Sequence, residues 1–319
     1  MIDLLDRQLL FVSGKGGTGK TTIAAAIADL AVRRGKRTLV CEMDAKGALA
    51  NAFEVGELTF QPTELQPGLH AMVMNTEDSL REYLKLFVRI PLVARIGPLA
   101  RTFDFVADAA PGVKEILAVG KLCHEVRQGH YDLVVVDAEA SGHIVAQIDA
   151  PRAIRELVHV GMVRDQTEWM LEILGDPART GLVVVATPEE MPVTETVELV
   201  EKVRSTTEVD VAAVIANRVL PQWFSAADAS VFEALAGQGA AAEKAQELLA
   251  QAAGPKVATV FQAAALAQAR RDVAAEYLAR LRDEIPAEVP MVLVPELFTR
   301  AGGRRVVSLV ADALQDELT

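Results

Sequence analysis

Gly14, Lys15, Gly16, Gly17, Thr18, Gly19, Lys20 and Thr21 form an unbroken run that fits G-x-x-x-x-G-K-[ST] at every fixed position. A run of these types is suited to gripping a chain of phosphates. Glycines let the backbone curl until successive N–H groups face inward, and a helix beginning at the end of the run adds unsatisfied donors and a positive dipole end. Lys20 is spaced to reach β- and γ-phosphate oxygens, the Thr21 hydroxyl to join a Mg²⁺ shell, and Thr22 lies in the same anion-binding turn. Asp137 closes the apolar run 131–137 (YDLVVVD) and supplies the carboxylate such a site needs for the metal, directly or through water. A nucleoside di- or triphosphate with Mg²⁺ is the ligand this chemistry implies.

These residues need a scaffold, and the flanking pattern supplies one. An apolar strand at 9–12 precedes the glycine turn, and an alanine-rich helix runs from about residue 21 to 34, stopped by Arg33-Arg34-Gly35. A second buried strand at 37–43 completes a strand–helix–strand unit, right-handed by default. That predicts an α/β fold: a doubly wound, mainly parallel sheet with the ligand at the carboxyl ends of the strands. Asp44 stands at the end of the second strand, where position alone leaves two readings, a helix N-cap or a group beside the phosphates.

Further strands are expected at 69–74 (toward an edge), 181–187, 211–219 and 289–294. Helical pattern fills 79–122, broken by Pro91, Pro98 and Pro111, then 151–174, 193–204, a long hairpin over 224–284 interrupted around Gly254-Pro255, and 304–318. Between 84 and 96 there are more apolar residues than one core-facing stripe needs, which fits either a packed layer or a partner-facing surface. With no repeat or linker visible, the chain reads as one nucleotide-binding domain, 1–319, with helical insertions at about 76–124, 145–178 and 222–284.

Composition narrows the partners. A net charge of −12 argues against a broad basic face for nucleic acid. No run approaches the roughly eighteen apolar residues of a membrane span, so no stable membrane insertion is expected. Two cysteines, Cys41 and Cys123, are too few for a disulfide framework, and Cys41 ends an apolar run as a small core residue. The opening MIDLLDRQ lacks a charged-then-apolar secretory pattern, so the cytoplasm is the expected compartment.

The form GKGG-T-GKTT, with Lys15 directly after the first glycine, resembles the deviant phosphate loop (deviant Walker A) of the class that holds division-site and plasmid-partitioning ATPases, nitrogenase iron protein and the arsenite-pump ATPase. In that class the corresponding lysine crosses a dimer interface to the partner's phosphates. The segment 44–53, DAKGALANAF, resembles the first switch D-P-A-x-x-L-x-D-x-F of arsenite-pump and tail-anchored-protein-targeting ATPases, with Ala45 and Asn51 in place of the proline and the second acid. Its leading aspartate positions water, which assigns Asp44 that role.

Asp137, Ser141, Gly142 and His143 keep the character of the family's second switch D-T-A-P-T-G-H, with Glu139 and Ala140 departing from it. There the Gly142 N–H would sense the γ-phosphate. Asn217 with Arg218, Leu220 and Pro221 is similar to the family's V-N-x-x-L-P segment, which makes Asn217 the adenine reader. Pro295 and Leu297 fall in the loop that closes over the base. The chain thus resembles the ArsA-type family, and most nearly the shorter actinobacterial "anion-transporting ATPase" proteins.

The resemblance implies an ATP-hydrolysing dimeric switch in which Lys15, Lys20 and Asp44 carry the reaction. A second subunit would complete the nucleotide site, as a homodimer or a heterodimer with a paralogue, and the helical insert would handle a protein or an anion. The family's zinc cysteine pair and three-cysteine metalloid site are both missing, so neither known cargo follows. Two rivals stay open: a regulatory subunit that binds nucleotide beside a more active paralogue, and a partitioning or positioning ATPase. An acidic last helix in place of a basic amphipathic one weighs against the second rival.

Overall fold

The computed structural model describes residues 4–44, 46–83, 112–157, 161–237, 239–254 and 256–318. Its strands are β1 (Leu9–Gly14), β2 (Thr38–Glu42), β3 (Thr63–Gln66), β4 (Leu69–Val73), β5 (Leu133–Asp137), β6 (Thr180–Ala186), β7 (Val211–Val219) and β8 (Met291–Pro295). They form one sheet in the order β3-β4-β2-β5-β1-β6-β7-β8. Every neighbouring pair is parallel except β3–β4. The four strands β1, β2, β5 and β6 are buried at every residue. That is why they read as continuous Val/Leu runs rather than alternating ones: a parallel sheet is covered on both faces.

The helices, in chain order, are α1 (Lys20–Arg33), α2 (Ala48–Phe53), α3 (Thr76–Tyr83), α4 (Val113–Gln128), α5 (Ser141–Leu157), α6 (Met162–Leu174), α7 (Glu190–Thr206), α8 (Ala226–Ala236), α9 (Ala240–Ala253), α10 (Val257–Glu284) and α11 (Gly303–Glu317). One face of the sheet is covered by α1, α2 and α11, and the other by α4 to α7 with the end of α10. In α1, Ile23, Ile27 and Leu30 are fully buried, each contributing about 1.5–3 kcal/mol. The buried alanines 24–26, 28 and 31 leave room for α1 between the sheet and α11. Cys41 and Cys123 are buried and unpaired, and desolvation pushes both thiols well above their ordinary value, so they serve as core residues.

The sequence pattern finds seven strands and misses β3. This short antiparallel strand, half exposed and polar, pairs with β4 across Pro67-Gly68 and takes the edge. Three helical expectations change. The pattern at 151–174 is two helices: α5 starts ten residues earlier at Ser141, carries Pro151 inside it, and α6 begins anew after Gly161, at φ 91°. The segment 224–284 is three helices rather than a hairpin: the break expected near Gly254 is present, and a second, unexpected one falls at Gly237. In 79–122, α3 and α4 are present, whereas the intervening 84–111 (with Pro91, Pro98, Pro111 and the apolar excess) lies outside the described residues.

Candidate functional site

The sheet order sets the place. β1 runs at the centre, between β5 and β6, so consecutive connections depart to either side of it and leave a crevice beyond its carboxyl end. Gly14 ends β1 at φ 145°, and a Cβ there would stand 2.2 Å from the Val185 carbonyl oxygen of β6, so only glycine fits where the chain leaves the sheet. Beyond it Gly16 and Gly17 face open space, and Gly19 (φ 94°) caps α1. The Lys15 carbonyl accepts from the Thr18 hydroxyl at 2.9 Å and from Lys20 Nζ at 3.2 Å. The run is a closed loop at a helix N-terminus, with Lys20 and Thr21 in the first turn of α1. Burial holds the Lys20 ammonium below its ordinary value, against the pull of Asp137.

Asp137 ends β5 next to β1, and the Thr21 hydroxyl donates to its Oδ2 at 2.7 Å. Asp137 is buried, and desolvation pushes its carboxyl up to about 6, with Glu42 and Asp44 adding to the rise and Thr21 and Lys20 opposing it. A hydroxyl and a crowded, buried carboxylate facing one another are hard oxygen donors that suit Mg²⁺, which takes few protein ligands and keeps several waters. Among the described residues no group of three or more His, Cys, Asp or Glu side chains could hold a metal.

Asp44 sits just past β2 with its side chain about half exposed and ion-paired to Lys46. Sequence reasoning missed what supports that loop. Glu42, 2% exposed, accepts at Oε1 from the backbone N–H groups of Lys46 (2.9 Å) and Ala48 (3.0 Å) and at Oε2 from Leu49 (3.0 Å). An acid inside an otherwise apolar strand was the available signal.

The second-switch residues begin a helix. Ser141, Gly142 and His143 occupy the first turn of α5, and His143 is exposed, 3.9 Å from Glu139 Oε2. The segment before it is tied to β1 by the Ser13 hydroxyl, which donates to the Glu139 carbonyl at 2.8 Å. Glu195 of α7 was also missed: it pairs with Lys15 and accepts from the Ser141 hydroxyl at 3.1 Å. No local pattern marks it, because its partners lie far away in the chain.

The residues expected around the base share one cavity. Between Ala216 and Val219 the β7–β8 register slips by one residue, and Arg218 takes φ 59°. Such a bulge re-aims a side chain. Asn217 is buried, and its Nδ2 donates to the Thr18 carbonyl at 2.8 Å. Gly19, Thr22, Asn217, Arg218, Pro295 and Leu297 line one cavity of about 190 Å³ beside the phosphate loop.

The structure thus places the phosphate-loop residues, Asp44, Asp137, Asn217, Pro295 and Leu297 along one end of the sheet; Gly142 lies on the same side at the start of α5. A family model described as anion-transporting ATPase matches residues 7–166 and 155–245. The ATPase BagA of Mycobacterium tuberculosis is 31% identical over 225 residues, covering 67% of this chain and 66% of that relative, just under two thirds of its length. An ATPase ASNA1 homolog of Entamoeba dispar is 24% identical over 255 residues, covering 66% of this chain and 76% of that one. A Halobacterium salinarum protein, provisionally named an arsenical pump-driving ATPase, is 25% identical over 246 residues, covering 70% of this chain and 37% of its own length. With the glycine loop, the Thr21–Asp137 pair beside it and the family match on one chain, this protein belongs to the anion-transporting ATPase family, a family of ATP hydrolases.

Proposed function

We propose that this chain is a Mg²⁺-dependent, cytoplasmic ATP hydrolase that works as a dimeric switch. The observation that carries the reading is the Thr21–Asp137 hydrogen bond at the mouth of a closed glycine loop, which sets two oxygen donors beside Lys20. Mg²⁺, when bound, would neutralise β- and γ-phosphate oxygens. The chain's own contribution is positioning and electrostatics. Main-chain amides of residues 14–22 hold the phosphates, Lys20 offsets charge on the β–γ bridge, and Asp44 orients the water. That water attacks the γ-phosphorus as the bridging oxygen leaves with ADP.

Lys15 of a second subunit would add its charge across the interface. Gly142 would carry the loss of γ-phosphate into α5, and Asn217, Pro295 and Leu297 would hold the base. A protein or anion partner is assigned to the helical layer, where Tyr83, Ile116, Gly120, Ile154, Val163 and Met170 are among the residues around an apolar cavity of about 360 Å³. Among the described residues no helix is long and apolar enough to cross a membrane.

Calorimetry with Mg-ATP and steady-state turnover test the reading. Lys20→Ala abolishes binding. Lys15→Ala and Asp44→Asn spare binding and lower turnover at least tenfold, a barrier increase of about 1.4 kcal/mol or more. Unchanged turnover in both removes the mechanism.

A second reading, a nucleotide-binding regulatory subunit beside a faster paralogue, is favoured by the Asp44–Lys46 ion pair, which occupies the carboxylate assigned to water. Turnover of the purified chain, alone and mixed with candidate paralogues, separates the two.

A further inference from the structure

Two cations belong to the phosphate loop, and they are held differently. Lys20 folds back onto the loop, onto the Lys15 carbonyl. Lys15 leaves it and pairs with Glu195 Oε1, while Glu195 Oε2 accepts from the Ser141 hydroxyl at 3.1 Å. One carboxylate therefore joins the loop to the first residue of α5. Glu195 stands on a firm base, because Thr196, Leu199 and Val200 beside it on α7 are 1–3% exposed. Its partners hold its carboxyl below the usual range, Lys15 first and Ser141 after. The pair is only part-buried, with side chains 32% and 26% exposed, so water can replace either partner at modest cost.

The geometry carries a conflict. A lysine that is to neutralise phosphate in a second subunit must first leave a carboxylate in its own. That pairing opposes assembly until nucleotide competes for the ammonium.

We propose that Glu195 is a positioning residue that parks Lys15 within its own subunit, so that transfer of Lys15 to a nucleotide held by a second copy of this chain breaks the pair and frees Ser141 at the start of α5. This rests on the dimeric-hydrolase reading above. It adds a restraint to that reading: the loop and the second switch are released by one event.

Glu195→Gln is the test, because it keeps the size of the side chain and an acceptor for Ser141 and removes the charge. The first measurement is trace acylation of lysine amines in the nucleotide-free, full-length protein, read by mass spectrometry. Lys15 labelling rises about threefold in the variant, the size expected of an ion pair this exposed, while that of Lys46 stays constant. The second is ATP turnover against protein concentration, whose half-maximal point falls about threefold; Lys15→Ala with Glu195→Gln behaves as Lys15→Ala alone. Unchanged Lys15 labelling, or a half-maximal point that stays or rises, overturns the proposal. Wild-type turnover that is independent of protein concentration refutes the dimer reading and the release step with it, whereas labelling alone judges the parking of Lys15.

Discussion

Asn217 and Thr18, 199 residues apart in the chain, are joined by a 2.8 Å hydrogen bond from the Asn217 amide to the Thr18 carbonyl. Asn217 therefore braces the glycine loop as well as lining the cavity beside it. Asn217→Ala leaves the Thr18 carbonyl without that partner and widens the cavity. The expected outcome is about tenfold weaker Mg-ATP binding by calorimetry, close to 1.4 kcal/mol, with a loss of stability of about 1 kcal/mol in urea. Guanine and adenine nucleotides should be discriminated less well than in the parent. Binding equal to the parent's would remove Asn217 from the site.

Glu42 gives its whole carboxylate to three N–H groups in the segment that follows Asp44. Glu42→Gln replaces one acceptor oxygen with a donor that faces an N–H. Turnover should fall more than nucleotide affinity, by about tenfold against less than threefold, because the loop that carries Asp44 loosens while residues 14–22 are untouched. Equal losses in both would place Glu42 in phosphate binding.

Asp137 is costly to the folded chain as a bare carboxylate, since burial pushes its carboxyl up to about 6. Asp137→Asn keeps an acceptor for Thr21 and removes the buried charge. At pH 8 without metal, the variant should be more stable than the parent by on the order of 2 kcal/mol in a denaturant titration. It should also lose the stabilisation that Mg-ATP gives the parent. A less stable variant would mean the charge is held by groups other than Thr21 and Lys20.

Lys121, 8% exposed at its side chain, bridges Glu82 (2.8 Å) and Glu125 (2.7 Å), and Glu125 also meets His130 Nδ1 at 2.8 Å. Burial raises the Glu125 carboxyl, but Lys121 and His130 outweigh it and hold the group below its ordinary value. A depressed folded-state value means that this stability is present above about pH 4.5 and is lost as pH falls through the folded value. Lys121→Met leaves two half-buried to buried carboxylates facing each other, at a cost of about 3 kcal/mol near pH 7. In that variant the dependence reverses, and acidification from pH 7 toward 5 restores stability. Denaturant midpoints across that interval are the check.

Most of the sheet was legible because β1, β2, β5 and β6 are covered on both faces, and a strand so placed must be apolar at every position. β3 was not, since a half-exposed edge strand such as TELQ has no apolar signature. Helix ends failed where the cause was not local. Ser141 begins α5 ten residues before the predicted start, and Pro151 lies within a helix whose pattern suggested a boundary. At the site, the glycine run and Asp137 are singled out by spacing, whereas Asn217 is singled out only by the family resemblance of the segment around it. Glu195 has no sequence sign, because its meaning comes from α7 packing beside β1 and bringing its carboxylate to Lys15.

The slipped register between β7 and β8 has a consequence for how the chain matures. Residues 14–22 leave the ribosome early, yet the cavity beside them is walled only when Pro295 and Leu297 have emerged. On the proposed reading, a nascent chain would curl the glycine turn long before it could retain a nucleotide. Nucleotide retention would then be a late marker of completed folding, timed by a ribosome-bound truncation series ending on either side of residue 297.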